Sequence, residues 1–200
     1  YCPKPPSFIL MSSIHVYDKS QDLFLESDNL GPSSIYGMSK LSQEYLVNLA
    51  EQAGIINSVI FRASNIYGGS CKPYYNSAIA TFCDQVINKK EIPLFANGEA
   101  ALDLIYIDDV VKVLRNVDSF FQDQGKTYNL ASGKTFTVNK IIKILKEVSN
   151  LDIKTKLVDT PTLKFSISTQ KLKHALPNFK LTALEEGLKM TFEEYYGRKK

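Results

Sequence analysis

Tyr36 and Lys40 stand four residues apart in the run Tyr36-Gly37-Met38-Ser39-Lys40. On a helix that spacing puts a phenol and an ammonium on one face. A lysine cation beside a tyrosine favours the phenolate and draws its pKa down from about 10, which makes the side chain an acid or base usable near neutral pH. The spacing alone does not single this pair out. Eleven tyrosines and 21 lysines in 200 residues predict about one such match by chance, and the chain holds three. Tyr195/Lys199 and Tyr196/Lys200 fall in a charged tail and read as solvated side chains. Tyr36 differs in its company. Ser12-Ser13 closes an apolar run 23 residues earlier, and Asn65 follows the next apolar run. In parallel sheets ligands bind at the carboxyl ends of strands. A serine there can hydrogen-bond the oxygen that Tyr36 protonates or deprotonates. The plainer reading is that Ser12, Ser13 and Asn65 cap and turn, as these residue types commonly do.

Other polar residues are weaker candidates. His15 follows Ser13 by two residues and either lines the same cleft or is an ordinary surface histidine. Asp108-Asp109 resembles a catalytic carboxylate pair, but an acidic pair opening a helix also caps it and complements its dipole. Lys72, Tyr74, Tyr75 and Asn76 form a polar, aromatic loop suited to a sugar or phosphate.

These groups need elements to hold them. Ser7 to Ser13 reads as a buried strand, and residues 14–32 as a loop. A helix follows from about Ser33 to Ala53, with Leu41, Tyr45, Leu46 and Leu49 at helical spacing and Gly54 to end it. Ser58 to Arg62 is a second buried strand, Asn65 to Asn76 a turn-rich loop, and Ser77 to Asn88 a helix. Ile92 to Phe95 and Asp103 to Ile107 read as short strands, Asp108 to Phe121 as a helix and Thr127 to Leu130 as a strand. Amphipathic helices are expected over Thr137 to Val148 and Thr182 to Tyr196. Strands alternating with helices indicate an α/β protein with a largely parallel sheet.

Composition sets the outer bounds. Hydrophobic residues are 44% and charged residues 22%, which supports a packed core and excludes disorder. The net charge of +3 gives no reason to expect nucleic acid. No apolar run reaches membrane-spanning length, and no signal-peptide pattern opens the sequence. Cys2, Cys71 and Cys83 are odd in number and lack metal-like spacing, so they fit a reducing cytoplasm and no metal site.

Taken together, six stretches resemble the extended short-chain dehydrogenase/reductases, the NAD-dependent epimerase/dehydratase group that acts on nucleotide sugars. They are Phe8 to Tyr17, Ser34 to Lys40, Phe61 to Gly68, Ile105 to Val110, Tyr128 to Gly133 and Leu184 to Leu188, in the family's order. Residues 71–83 are also similar to capsular-polysaccharide ketoreductases of this group. The fold this implies is the C-terminal part of a Rossmann-like doubly wound parallel sheet with a smaller α/β substrate-binding subdomain. Residues 1–68 would complete the dinucleotide-binding domain and carry the catalytic helix. Residues 69–200 would be mainly the substrate subdomain, with a segment near 103–130 returning to the main sheet.

The resemblance implies a catalytic triad. Tyr36 would be the acid/base on a sugar oxygen, Lys40 would tune it and hold the nicotinamide ribose, and Ser13 would orient the reacting oxygen. Met11, Ser12, Ala63, Ser64 and Ile66, with Tyr36 and Lys40, would line the site of NAD or NADP. Ser13, His15, Asn65, Lys72, Tyr75 and Asn76 would meet the nucleotide-sugar substrate. It also implies a homodimer formed in part by the Tyr36/Lys40 helix. Leu41, Tyr45 and Leu49 would serve that contact or pack on the sheet.

The departures are informative. None of the ten glycines forms the glycine-rich turn that holds a dinucleotide pyrophosphate, so the chain reads as the catalytic portion of a longer protein. Ile14-His15 stands where dehydratases of the group carry an Asp-Glu pair, which argues against a 4,6-dehydratase. Leu102 replaces the arginine that many members use on the substrate diphosphate, leaving Lys72 or Lys164 as substitutes. The expected activity is oxidation or reduction at C4 of a nucleotide-activated hexose, as a 4-ketoreductase or 4-epimerase. The alternative is a non-catalytic dinucleotide- or sugar-nucleotide-binding relative on the same fold.

Overall fold

The computed structural model describes residues 4–122, 126–161 and 165–197. Cys2, Lys164, Lys199 and Lys200 lie outside them. In chain order the elements are β1 (Ser7–Ser13), β2 (Leu23–Phe24), α1 (Ile35–Gln52), β3 (Asn57–Ala63), β4 (Asn65–Tyr67), α2 (Ala78–Ile87), β5 (Ile92–Phe95) and β6 (Ala101–Tyr106). There follow α3 (Ile107–Arg115), β7 (Thr127–Leu130), β8 (Thr135–Thr137), α4 (Val138–Ser149), β9 (Thr155–Val158), β10 (Ser166–Ile167), α5 (Gln170–Ala175) and α6 (Leu184–Gly197). The α/β alternation expected from the sequence is present.

The chain forms two compact units. The first comprises 1–64, 112–133 and 165–179; the second comprises 65–111, 134–164 and 180–200. The first crossing is thus at Ser64/Asn65, four residues before the expected boundary. Residues 103–111 stay in the second unit, while 165–179 joins the first. Composition could not mark crossings that fall inside continuous α/β sequence.

The first unit is built on a parallel sheet in the order β1-β3-β7. Ser7 to Ser13 runs beside Asn57 to Ala63, and Ile60 to Ala63 beside Thr127 to Leu130. Strands buried in this way read as continuous apolar runs. Phe61, Phe120 and Tyr128 meet largely edge-on beside the sheet. Helix α1 lies over it. Val47 packs with Leu10 and Ile60, and Leu41 packs with Ile14, Val16, Tyr17 and Phe24. Burying each such aliphatic side chain contributes about 1.5–3 kcal/mol. Leu41 therefore belongs to the core, whereas Tyr45, Leu46 and Leu49 are exposed on the opposite face. The helix ends at Gly54, whose φ of +69° no side chain adopts readily.

The second unit holds a β4-β6-β8 sheet and a β5-β9 pair, covered by α2, α4 and α6. Its core includes Ile79, Cys83, Ile92, Ile141, Leu145 and Leu188. Asn65 to Tyr67 is strand β4, paired parallel with Leu104 to Tyr106, rather than the start of a loop. Three residues are too few to show a period, so the pairing had no local signature. Helix α3 stops at Arg115, and Val117 to Phe120 form a separate 3-10 turn. Asp108 and Asp109 sit in the first turn of α3, and the buried Asp109 carboxylate accepts Thr182 N at 2.7 Å and Thr182 Oγ1 at 2.9 Å. Asp109 is therefore engaged structurally, while Asp108 is exposed.

Burial pushes the Cys83 thiol up to about 12 and also raises the half-buried Cys71. Only a thiolate is an effective nucleophile. At pH 8 in the native protein, iodoacetamide is expected to mark Cys71 well before Cys83, with Cys83 reacting only after denaturation. Peptide mapping by mass spectrometry reads the ratio, and equal labelling would contradict the packing of α2.

Candidate active site

Strand alternation decides which side chains at the end of β1 face α1. Leu10 and Ser12 point to the helix, and Met11 and Ser13 to the other side. Ser13 is buried, and its Oγ accepts His15 N at 3.3 Å, capping the short 3-10 turn Ile14–Val16. That turn carries the His15 ring to Tyr36, with ring centroids 5.8 Å apart and planes at 77°. Partial burial, followed by the neighbouring Lys19 cation, pushes the His15 imidazole below its ordinary value. It is thus neutral at pH 7 and able to donate or accept a hydrogen bond.

Tyr36 stands in the first turn of α1. Ser34 caps this helix, its Oγ accepting Gly37 N at 3.1 Å. The phenol is 55% exposed, so a ligand can reach it. One turn on, Lys40 Nζ donates to Met11 O at 2.9 Å and to Gln43 Oε1 at 3.4 Å. An ammonium has three protons, so one remains beyond these two acceptors. Ser13, His15, Tyr36, Lys40 and Met11 therefore gather at the carboxyl end of β1, as the parallel-sheet argument requires.

The other expected site residues lie on other elements. Ala63 is the register partner of Ser13, and Ser64 N donates to Leu130 O at 3.0 Å, fixing the exit from β3. Asn65 and Ile66 lie in β4 of the second unit, where Asn65 Nδ2 donates to Asp103 O at 3.0 Å. Lys72 and Asn76 close a small exposed loop, Lys72 N donating to Asn76 Oδ1 at 2.9 Å, and Tyr75 within it is exposed. Its neighbour Tyr74 adopts a left-handed φ of 59°, with its hydroxyl donating to Asp84 Oδ2 at 2.9 Å.

The Ser12 side chain turns to the α1 side of β1. Its Oγ donates to Glu44 Oε1 inside the first unit. Glu44 in turn receives Arg62 Nε and Arg62 Nη2, the latter at 2.8 Å, and both side chains are almost fully buried. Sequence reasoning missed this network. Two signals were available: an arginine inside the apolar run of β3, and an acid one helical turn past Lys40. Beyond Arg62, the Tyr17 hydroxyl donates to Asn129 Oδ1 at 2.7 Å. Burial pushes Tyr17 up to about 12, so it stays a phenol and a donor. Among the described residues no cluster of three or more His, Cys, Asp or Glu could hold a metal ion, and no helix is long and apolar enough to cross a membrane.

Residues 2–131 match the family model described as the NAD-dependent epimerase/dehydratase family. An uncharacterised UDP-glucose epimerase of Bacillus subtilis is 27% identical over 186 residues, which are 91% of this chain and 58% of that protein. A UDP-2-acetamido-2,6-beta-L-arabino-hexul-4-ose reductase of Pseudomonas aeruginosa is 43% identical over 84 residues, 41% of this chain and 22% of that protein. The solved UDP-glucose 4-epimerase of Thermotoga maritima with UDP-glucose superposes with a TM-score of 0.80 at 27% identity, over 96% of this chain and 63% of that one. Less similar structures of the same fold, at TM-scores of 0.83 and 0.84, hold NAD in one case and NADPH in another. The chain therefore spans about three fifths of the length of the B. subtilis and T. maritima proteins, and its parallel α/β architecture is Rossmann-like.

Proposed function

Since the chain belongs to the NAD-dependent epimerase/dehydratase family, we propose that it carries the acid/base residues for oxidation or reduction at C4 of a nucleotide-activated hexose. The observation that supports this most strongly is the exposed Tyr36 phenol one helical turn from Lys40, whose ammonium is fixed 2.9 Å from Met11 O beside Ser13.

The residues present fit the nicotinamide end of a dinucleotide. An exposed phenol and an ammonium with a spare proton stand together at the end of a parallel strand, the polar setting a ribose requires. Tyr36 and Lys40 would hold it, with Met11, the Ser12 backbone, Ala63, Ser64 and Ile66 lining the ring; the Ser12 hydroxyl is committed to Glu44. When bound, the nicotinamide supplies or takes up the hydride at C4. The protein's part is the proton. In the reducing direction Tyr36 gives its hydroxyl proton to the C4 oxygen, making an alcohol, and regains one from water. In the oxidising direction the phenolate removes the proton from the C4 hydroxyl. Lys40 places its cation one helical turn from the phenol in both. Ser13 Oγ, already accepting His15 N, uses its own O–H to orient the C4 oxygen. Neutral His15 beside Tyr36 is placed to hydrogen-bond a neighbouring sugar hydroxyl. Lys72, Asn65, Tyr75 and Asn76 are the proposed contacts to the diphosphate and nucleoside.

Ketoreduction is favoured over epimerisation. The acidic pair of the dehydratases is replaced by Ile14-His15, and the 84-residue match is to a hexul-4-ose reductase. The test is product analysis with the full-length protein, offered a UDP-4-keto-6-deoxyhexose with reduced dinucleotide, or UDP-glucose with NAD. Stoichiometric loss of dinucleotide absorbance at 340 nm with the keto sugar supports the reductase. UDP-galactose formed without net dinucleotide change supports the epimerase. Neither product would overturn C4 chemistry.

A further inference from the structure

Two links join helix α1 to the end of β1. Lys40 Nζ holds Met11 O, and Glu44 holds the hydroxyl of the next residue, Ser12. On the helix the two anchors are one turn apart; on the strand they are neighbours, immediately before Ser13. A helix rises about 1.5 Å per residue. A one-residue slide of α1 along β1 would therefore break both links and carry Tyr36 away from Ser13 and His15. Glu44 is also tied to β3. Arg62 forks onto both carboxylate oxygens, gives its remaining nitrogen to Glu26 O at 3.1 Å, and lies 4.8 Å from the Tyr17 ring centroid. Tyr17 continues to Asn129, whose Nδ2 donates to Phe24 O at 3.1 Å and Ser168 O at 3.2 Å. One carboxylate thus ties the catalytic helix to β1 and β3, and the network it joins runs on to β7.

Stability alone does not account for such a device. A buried ion pair offsets its own desolvation poorly, and apolar side chains of the same volume often serve as well or better. What the pair adds is directional geometry, because a bidentate guanidinium–carboxylate contact admits one arrangement. We infer that Glu44, clamped by Arg62, is a positioning residue that fixes the register of the Tyr36/Lys40 helix against the Ser13 strand end. The inference rests on the acid/base reading of Tyr36 proposed above.

The test uses the full-length protein with Glu44→Gln and Ser12→Ala. The first removes the charge; the second removes only the tie to β1 and leaves the ion pair whole, so it remains informative where Glu44→Gln fails to fold. Two quantities are read in the folded variants: the nuclear Overhauser effect between the His15 and Tyr36 rings, and kcat against KM. The expected result is a weakened inter-ring signal with kcat down about tenfold to a hundredfold, as for an ångström-scale misplacement, and KM for the nucleotide sugar nearly unchanged. Variants that melt earlier yet keep the inter-ring signal and the native kcat would overturn the inference, since a merely structural pair moves only stability. Tyr36→Phe run alongside separates the two ideas. Unaltered turnover in that variant sinks the acid/base reading, while the ring signal, which needs no turnover, still decides the register.

Discussion

Tyr36→Phe in the full-length protein is expected to lower turnover by about 10²–10⁴-fold, the usual contribution of a positioned acid/base group. Dinucleotide binding, followed by fluorescence titration, should change little. The substitution is clean for structural reasons. Phenylalanine keeps the ring that meets His15 edge-on, and among the described residues no hydrogen bond of the fold uses the Tyr36 hydroxyl. The helix start is held by Ser34 through Gly37 N, which the change leaves intact. A large loss of kcat can therefore be assigned to the missing O–H. Lys40→Met is a less specific companion, because it removes a cation and the tether to Met11 O together. Full activity in Tyr36→Phe would take Tyr36 out of the chemistry and favour a nucleotide-binding protein on an inherited fold, since a fold alone does not fix function.

The parts of the molecule that could be read from sequence are those whose order is local. Apolar runs marked β1 and β3 within one residue of their ends, and the spacing of Leu41 and its neighbours marked α1. The carboxyl-end rule points to Ser12, Ser13 and Asn65 as strand-end groups, and the structure holds Lys40 against Met11 at the end of β1. Residues whose partners are distant in the chain were not legible. Ser12 looked like a ligand contact beside Ser13, but its hydroxyl is taken by Glu44, 32 positions away. The turn residues around Asn65 predict a loop, yet it belongs to a strand whose partner begins 39 residues later, at Leu104. An acidic pair marks the start of α3, but nothing local marks Thr182, 73 residues on, as the partner of Asp109. Periodicity reports burial and the local period, and it carries no information about which buried polar groups find one another.

Gly37→Ala is the second change with a large expected effect, and two forces compete in it. Alanine favours an α-helix over glycine by about 1 kcal/mol. Gly37 has an ordinary negative φ, so propensity alone predicts a gain. Space predicts the reverse. A Cβ on Gly37 would overlap the carbonyl oxygen of His15 and lie 2.9 Å from Pro32 Cβ. Neither neighbour can rotate aside, because one is backbone and the other a closed ring. Helix α1 would have to lift from the Ile14–Val16 turn, and overpacking of this kind costs about 1–3 kcal/mol. Sterics should win, lowering Tm by roughly 2–4 °C per kcal/mol for a chain of this size. The same displacement moves Tyr36 from His15 and Ser13, so turnover should fall by about 100-fold. Calorimetry and steady-state assays read the two effects separately. A rise in Tm would mean that propensity prevailed and that helix and turn approach less closely than described. A lowered Tm with native turnover would separate helix seating from catalysis and weaken the case that Tyr36 must stay in register with the strand end.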